Sequence, residues 1–225
     1  MNVVENLGRV REAIRRAAAR AGRRTEEIQL VAVTKGVPVA VIRELVAAGQ
    51  TALGENRAQE LLAKQPQVPG VEWHFVGSLQ TNKVRAVIGK IVLLHSLDRL
   101  GLALELDRRA QQQGIVVPVL IQVNVSGEAS KHGVPPEEVG PFARRVASLP
   151  GLAVRGLMTI APLVRDPEEV RPVFRRLREL ARRLQEEVAG VEMKYLSMGM
   201  SNDFEVAVEE GSTLVRVGTA IFGRK

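Results

Sequence analysis

Residues 28–36 constrain the fold of this chain more than any other stretch. They form an almost continuous apolar run, rich in β-branched residues, that ends in Thr34, Lys35 and Gly36. Such a run is typical of a strand buried on both faces, as in parallel sheets covered by helices. Helical apolar spacing follows from Pro38 onwards, so Lys35 is predicted to lie at the carboxyl end of a core strand. Parallel α/β folds bind their ligands at that end.

Lys35 at a strand end allows two interpretations. It can be the first solvated residue after the strand, with no further role. Alternatively, burial removes its amine from water and favours the neutral form, which can attack an aldehyde to give a Schiff base. The rest of the sequence has to decide between them.

The alternation of strand and helix continues along the whole chain. Strands are predicted at 28–35, 51–55, 72–76, 90–97, 116–125, 152–158, 193–197 and 213–217, and helices at 38–49, 57–64, 81–88, 99–113, 136–148, 167–188 and 202–210. An additional helix precedes them, with one apolar stripe from Val3 to Ala21 and Gly22 to end it. We expect residues 1–225 to form a single α/β domain, a (β/α)8 barrel of the TIM type. A doubly wound open sheet is the alternative, because periodicity does not show whether the first and last strands pair.

The net charge of +7 is typical of proteins that bind nucleic acid, so nucleic acid has to be considered as a partner. However, the arginines are spread along the chain, many of them beside Glu or on outer helical faces, as between 175 and 183. Aromatic residues make up only 3% of the chain, which leaves little for bases to stack on. We therefore expect a solvated basic surface and no nucleic-acid partner. The absence of Cys excludes a thiolate metal site, and no apolar run approaches the roughly 20 residues that cross a bilayer. We expect a cytoplasmic protein with no metal site and no membrane association.

Two glycine-containing loops follow the last two predicted strands. The first contains Gly199, with Ser201 or Asn202 placed to cap the next helix, and the second offers backbone donors at Gly218 and a hydroxyl at Thr219. Each loop alone is better explained as an ordinary turn, because glycine-rich turns are common. At the ends of adjacent strands, they together favour an anion site for a phosphate.

A phosphate site opposite a strand-end lysine suggests pyridoxal 5′-phosphate, whose aldehyde needs an amine and whose phosphate needs fixed donors. Arg216, at the end of the last strand, is placed to face the pyridine nitrogen. An arginine stays protonated and would donate a hydrogen bond to an unprotonated ring nitrogen, which weakens the ring as an electron sink. The alternative for Arg216 is an ion-pairing or surface arginine.

Six segments carry a resemblance to a known family: 31–35, 54–57, 73–83, 156–159, 196–201 and 215–219. The chain resembles the pyridoxal phosphate homeostasis proteins, the YggS/PROSC family. That family is similar in fold to the N-terminal barrel of bacterial alanine racemase and of eukaryotic ornithine decarboxylase. The Trp-His-Phe segment that begins at Trp73 is its most specific motif.

The resemblance implies that Lys35 carries the Schiff base, that Ser201, Gly218 and Thr219 hold the phosphate, and that Arg216 faces the ring nitrogen. Three further residues complete the predicted cofactor site: Asn56, His74 and Met200. Asn56 could instead only shape its turn, and His74 could be a core histidine.

The related racemases need a second base, which the resemblance assigns to a tyrosine of a separate C-terminal domain. This chain ends six residues after Thr219, and Tyr195, its only tyrosine, falls within strand seven. Without a second positioned group, protonation of one face is left to water. We expect a monomer that binds pyridoxal phosphate reversibly for homeostasis, buffers it or delivers it to dependent apo-enzymes, and lacks strong catalytic activity. A slow single-domain amino-acid racemase is the alternative, and a nucleic-acid-binding module is the third hypothesis.

Overall fold

Eight parallel strands close into a barrel in sequence order, because β1 pairs with both β2 and β8. The computed structural model describes residues 2–128 and 131–223. The strands are β1 Gln29–Val33, β2 Ala52–Glu55, β3 Glu72–Phe75, β4 Leu93–Leu97, β5 Val117–Gln122, β6 Leu152–Met158, β7 Val191–Ser197 and β8 Leu214–Val217. Closure confirms the barrel and rejects the open sheet.

The helices alternate with the strands as predicted. They are α1 Val3–Arg20, α2 Val39–Ala47, α3 Ala58–Lys64, α4 Val84–Val87, α5 Leu100–Gln113, α6 Val139–Ala147, α7 Arg171–Glu187, α8 Phe204–Glu209 and α9 Thr219–Phe222. Short 3-10 helices lie at Thr25–Glu27, Gln65–Gln67, Thr81–Lys83 and Pro167–Val170. The predicted helix 81–88 is therefore split into a 3-10 turn and α4, and α9 was not predicted. A four-residue helix is too short to produce an apolar period.

Helix α1 is the additional N-terminal helix. The Asn2 side chain accepts a hydrogen bond from the Glu5 N–H at 3.1 Å, and the predicted stripe is buried on one face. This face packs against α2, α8 and α9, next to the seam between β1 and β8. The Asn6 amide also donates to the Ile221 carbonyl at 3.0 Å, which ties α1 to α9, the helix after the last strand.

The barrel interior contains apolar and polar side chains. Six buried apolar residues form one interior cluster: Val31, Ala52, Leu93, Leu120, Met158 and Leu214. His95, Ser197 and Arg216 are buried polar residues on β4, β7 and β8. A larger apolar core lies between the strands and the surrounding helices.

The outer surface carries paired charges, as the spread of arginines predicted. Arg175 and Arg178 on α7 lie 3.1 Å and 3.3 Å from the carboxylate of Glu210. In the described part of the chain, no helix combines the length and the apolar character that a membrane-spanning segment requires.

Candidate functional site

A cavity of about 280 Å³ lies at the carboxyl ends of β1, β2, β7 and β8. It brings together seven of the eight predicted site residues: Lys35, Asn56, Met200, Ser201, Arg216, Gly218 and Thr219. We call it the mouth cavity. Its walls also include Val33 and Val76 at the strand ends and Ile160, Pro162 and Leu163 from the loop after β6. Sequence reasoning missed these three loop residues, because apolar loop residues carry no chemical signal.

Lys35 lines the mouth cavity but is exposed. The hypothesis of an amine removed from water by burial is therefore wrong. Strand β1 ends at Val33, so Lys35 lies beyond the rim of the barrel and its side chain starts in the open mouth.

The backbone on both sides of Lys35 is held by a buried cluster of charged groups. Lys64 Nζ donates to the Thr34 carbonyl at 2.7 Å and to the carboxylates of Glu55 at 2.7 Å and Glu60 at 2.8 Å. The Thr34 hydroxyl donates to the same oxygen of Glu55 at 2.6 Å, and the Gly36 N–H donates to Glu60 at 2.5 Å. We call Glu55, Glu60 and Lys64 the rim cluster. It fixes where Lys35 leaves the barrel.

The two predicted anion-binding loops meet at the mouth. Ser201 Oγ, from the loop after β7, accepts a hydrogen bond from the Ala220 N–H, in the first turn after β8, at 3.1 Å. Ser201 therefore holds the second loop and does not cap the helix that follows it. The residue before α8 is Asp203, and it makes no side-chain cap bond, so the capping prediction for Ser201 or Asn202 is wrong.

Close contacts leave little room for a side chain at one glycine in each loop. A Cβ on Gly218 would lie 3.3 Å from the Val33 carbonyl oxygen of the adjacent strand. Gly199 has a φ of 93°, and a Cβ there would lie 2.6 Å from the Ala207 Cβ. The close approach at Gly199 is therefore to helix α8.

Asp203 is a cavity residue that sequence reasoning did not single out. Its Oδ1 accepts the Met200 N–H at 2.6 Å, which shapes the loop after β7. Burial raises the pKa of its carboxyl, opposed by this backbone hydrogen bond and by the charge of Arg216. An aspartate directly before a helix is a recognisable signal, but that signal predicts a cap and not a cavity wall.

Arg216 is buried, with only 5% of its surface exposed, at the floor of the mouth cavity. It donates to Ser197 Oγ at 2.5 Å and to the Thr159 carbonyl at 2.9 Å. Burial lowers the pKa of its guanidinium to about 10, opposed by the charge of Asp203. No carboxylate in residues 2–128 and 131–223 lies within salt-bridge distance of it. Arg216 is thus neither the surface nor the ion-pairing arginine of the alternative, and it has five N–H donors for two protein acceptors.

Asn56 follows β2 and also borders the mouth cavity. Its Oδ1 is buried and has no hydrogen-bond partner among the described residues. A buried polar atom without a partner is uncommon, because it loses its hydrogen bonds to water. The unpaired amide oxygen of Asn56 and the guanidinium of Arg216, which has no ion pair among the described residues, therefore both fit a polar ligand at this place.

His74 is the predicted site residue that does not reach the mouth. It is the third residue of β3, and Val76, two residues further on, is the one that lines the mouth cavity. His74 Nδ1 lies 2.9 Å from His95 Nε2 inside the barrel, and burial lowers the pKa of His74 to about 4. The ring instead borders a second cavity, together with Gln29, Glu72 and Tyr195. The core-histidine alternative describes it.

Acidic, His and Cys side chains do not gather in groups of three or more suited to a metal ion anywhere in the described residues. The polar groups of the mouth cavity are instead one amine, one guanidinium, the amides of Asn56 and Asn202, the single carboxyl of Asp203, hydroxyls and backbone groups. This set suits an anionic organic molecule with a carbonyl group better than a metal ion.

Comparison with known proteins places this geometry in context. Residues 6–225 match the family model described as alanine racemase, N-terminal domain. The pyridoxal phosphate homeostasis proteins of Aquifex aeolicus and Escherichia coli are 51% and 43% identical to the chain. Both alignments cover 100% of this chain, and they cover 99% and 97% of the two relatives. The structure of PipY from Synechococcus elongatus with PLP bound superposes with a TM-score of 0.86, at 36% identity, over 99% of this chain and 100% of PipY.

Proposed function

Because the chain belongs to the pyridoxal phosphate homeostasis protein family, within the wider alanine racemase N-terminal domain family, we propose that it binds pyridoxal 5′-phosphate reversibly in the mouth cavity. One observation carries the proposal: an amine, the two loops of the predicted anion site and a buried guanidinium without an ion pair among the described residues border the same 280 Å³ cavity. Its role is to buffer or deliver the cofactor, with Lys35 as the point of covalent attachment.

Each chemical group of the cofactor has a counterpart among the chain's own residues. Pyridoxal 5′-phosphate supplies an aldehyde for a reversible bond to an amine, a phosphate, and a ring nitrogen that accepts hydrogen bonds. Lys35 provides the amine at the rim. The hydroxyls of Ser201 and Thr219 and the backbone at Gly218 provide donors for the phosphate. Arg216 provides a permanent cationic donor, which leaves the ring nitrogen unprotonated.

The exposure of Lys35 favours a carrier. Water reaches its amine freely, so a linkage formed there can hydrolyse and re-form without a conformational change. The open mouth, where Leu163 is 85% exposed, also leaves the cofactor within reach of another protein. We therefore extend the proposal to transfer to pyridoxal-phosphate-dependent apo-enzymes by a monomer in the cytoplasm.

Efficient amino-acid chemistry would need a second acid–base group opposite Lys35. Tyr195, the only tyrosine, borders the second cavity and not the mouth. Asp203 is the one carboxyl among the residues that line the mouth cavity in the described chain, and its raised pKa makes it the single observation in favour of a slow racemase as the second candidate. Its Oδ1 is already engaged by the Met200 N–H, so we propose the carrier first.

The proposal is tested by absorbance spectra of the protein with pyridoxal 5′-phosphate, before and after borohydride reduction, followed by peptide mass mapping. We expect a visible absorbance band that reduction removes and a stable adduct on the peptide that contains Lys35. Lys35→Ala should lose both, whereas Lys90→Ala, at an exposed lysine, should keep both. An adduct on another lysine, or an unchanged band in Lys35→Ala, would refute the assignment. Enantiomer exchange of amino acids at ordinary enzymatic rates would refute the carrier role, and its loss in Asp203→Asn would favour the second candidate.

A further inference from the structure

Four buried side chains form a line of hydrogen bonds across the barrel interior. His74 Nδ1 lies 2.9 Å from His95 Nε2, His95 Nδ1 lies 2.8 Å from Ser197 Oγ, and Arg216 donates to the same Ser197 oxygen at 2.5 Å. Strands β4 and β7 are not neighbours in the barrel, so the bond between His95 and Ser197 crosses the interior. We call these four residues the interior chain. It links the second cavity, bordered by His74, to the mouth cavity, bordered by Arg216.

The direction of every bond in the interior chain follows from Arg216. An arginine can only donate, so Ser197 Oγ accepts from it. The serine proton then has His95 Nδ1 as its acceptor, which requires His95 to carry its own proton on Nε2. That proton points to His74 Nδ1, so His74 carries its proton on Nε2, an atom that has no partner in the described part of the chain. In the opposite direction, the serine proton itself would have no acceptor among the described residues.

Burial keeps both imidazoles neutral, and at His95 the charge of Arg216 adds to this effect. Burial lowers the pKa of His95 well below its ordinary value, and the charges of His74 and Arg216 lower it further. A second cation beside the guanidinium would have no carboxylate within salt-bridge distance in the part of the chain that the structure describes. The interior chain is therefore a line of neutral groups with one cation at its mouth end.

We propose that Ser197 and His95 are positioning residues, which aim the guanidinium of Arg216 at the mouth through the Nε2-protonated tautomer of His95. Two acceptors, Ser197 Oγ and the Thr159 carbonyl, hold the guanidinium in one orientation, and His95 orients the serine hydroxyl. That the guanidinium is aimed at a ring nitrogen of a bound cofactor rests on the proposed function. The directions of the hydrogen bonds in the interior chain do not rest on it.

The first test uses the protein without any added ligand. Long-range proton–nitrogen NMR of 15N-histidine-labelled wild type should show His74 and His95 as neutral Nε2–H tautomers at pH 7. In Ser197→Ala the donor to His95 Nδ1 is gone, so the His95 signal should move to a mixture of tautomers. Ser197→Thr keeps a hydroxyl and should restore the wild-type pattern. An Nδ1–H tautomer or a protonated ring at His95 in the wild type would overturn the proposal, and that measurement needs no variant to fold.

The second test separates this proposal from the proposed function. Titration with pyridoxal 5′-phosphate should give an affinity on the order of tenfold weaker for Ser197→Ala than for the wild type, and near wild type for Ser197→Thr, because a hydrogen bond to a charged group is lost. Equal affinities for Ser197→Ala and the wild type would overturn the positioning role while the proposed function stands. If the wild type binds no cofactor, the proposed function fails, and the tautomer spectra still decide whether the interior chain is directed as proposed.

Discussion

Replacing Lys64 with methionine removes the only cation of the rim cluster while keeping a side chain of similar length. Lys64 is 7% exposed, and its three N–H donors go to the Thr34 carbonyl, Glu55 and Glu60. Glu55 is fully buried and would keep only the hydroxyl of Thr34 as a donor. Its other oxygen already has no partner among the described residues. The variant therefore leaves a buried carboxylate without a counter-charge.

The loss of unfolding free energy in Lys64→Met depends on whether the buried carboxylate stays charged or takes up a proton. Breaking a buried ion pair by removing one partner destabilises proteins by roughly 3–5 kcal/mol. Uptake of a proton by a carboxyl limits the loss, because neutralising a glutamate of ordinary pKa near 4.3 at pH 7 costs about 3.7 kcal/mol. We therefore expect Lys64→Met to lower the free energy of unfolding by about 3 to 4 kcal/mol at pH 7. At pH 5 the same neutralisation costs only about 1 kcal/mol, so most of the loss should disappear.

Urea unfolding followed by circular dichroism at pH 7 and pH 5 measures both values. Lys90→Met, at an exposed lysine, is the matched control and should change stability by less than about 0.5 kcal/mol. The double variant Lys64→Met/Glu55→Gln should recover part of the loss, because it no longer buries a charge. The reasoning fails if Lys64→Met loses less than about 1 kcal/mol at pH 7, or if the loss is as large at pH 5 as at pH 7.

Three further predictions concern single residues. His74 has a pKa of about 4 in the folded protein against an ordinary value of 6.5, so its contribution to the free energy of unfolding is complete above pH 6.5. Roughly 3 kcal/mol of it is lost as the pH falls to 4, because the unfolded chain takes up the proton first. The difference in unfolding free energy between wild type and His74→Gln should shrink over this range, and a difference independent of pH would contradict the prediction. Gly199→Ala should lower the unfolding free energy by roughly 2–4 kcal/mol, because φ is positive and the new Cβ would lie 2.6 Å from the Ala207 Cβ. The control Gly8→Ala, on the exposed face of α1 with no neighbour within 4 Å, should raise it by about 0.5–1 kcal/mol. Equal effects of the two variants in thermal unfolding would show that the contact at Gly199 is relieved. Arg216→Met removes a buried cation that has no carboxylate within salt-bridge distance among the described residues. Urea unfolding should therefore show unchanged or higher stability, while cofactor titration shows at least tenfold weaker binding. A large loss of stability would mean that Arg216 serves the fold and not the ligand.

Much of the site could be predicted because a parallel barrel brings all strand carboxyl ends to one rim. The apolar run that ends at Lys35 and the seven strand-helix units after it predict such a barrel. In a barrel the residues at the strand ends converge, whatever their distance in sequence. Lys35, Asn56, Arg216 and the two glycine-containing loops all reached the mouth cavity for this reason. Their convergence needed only the order of the elements along the chain.

The tertiary structure alone decided which way the side chains face and what holds them. His74 turns into the interior and Val76 takes the place at the mouth, because the register of β3 against its neighbours sets which residue ends the strand. Lys35 is exposed because β1 ends two residues earlier. The rim cluster and the interior chain join residues as far apart as His95 and Ser197, and no period along the sequence records a contact between strands on different sides of a barrel. Local patterns determine elements and their order, whereas contacts across the barrel depend on closure and register, which only the folded chain defines.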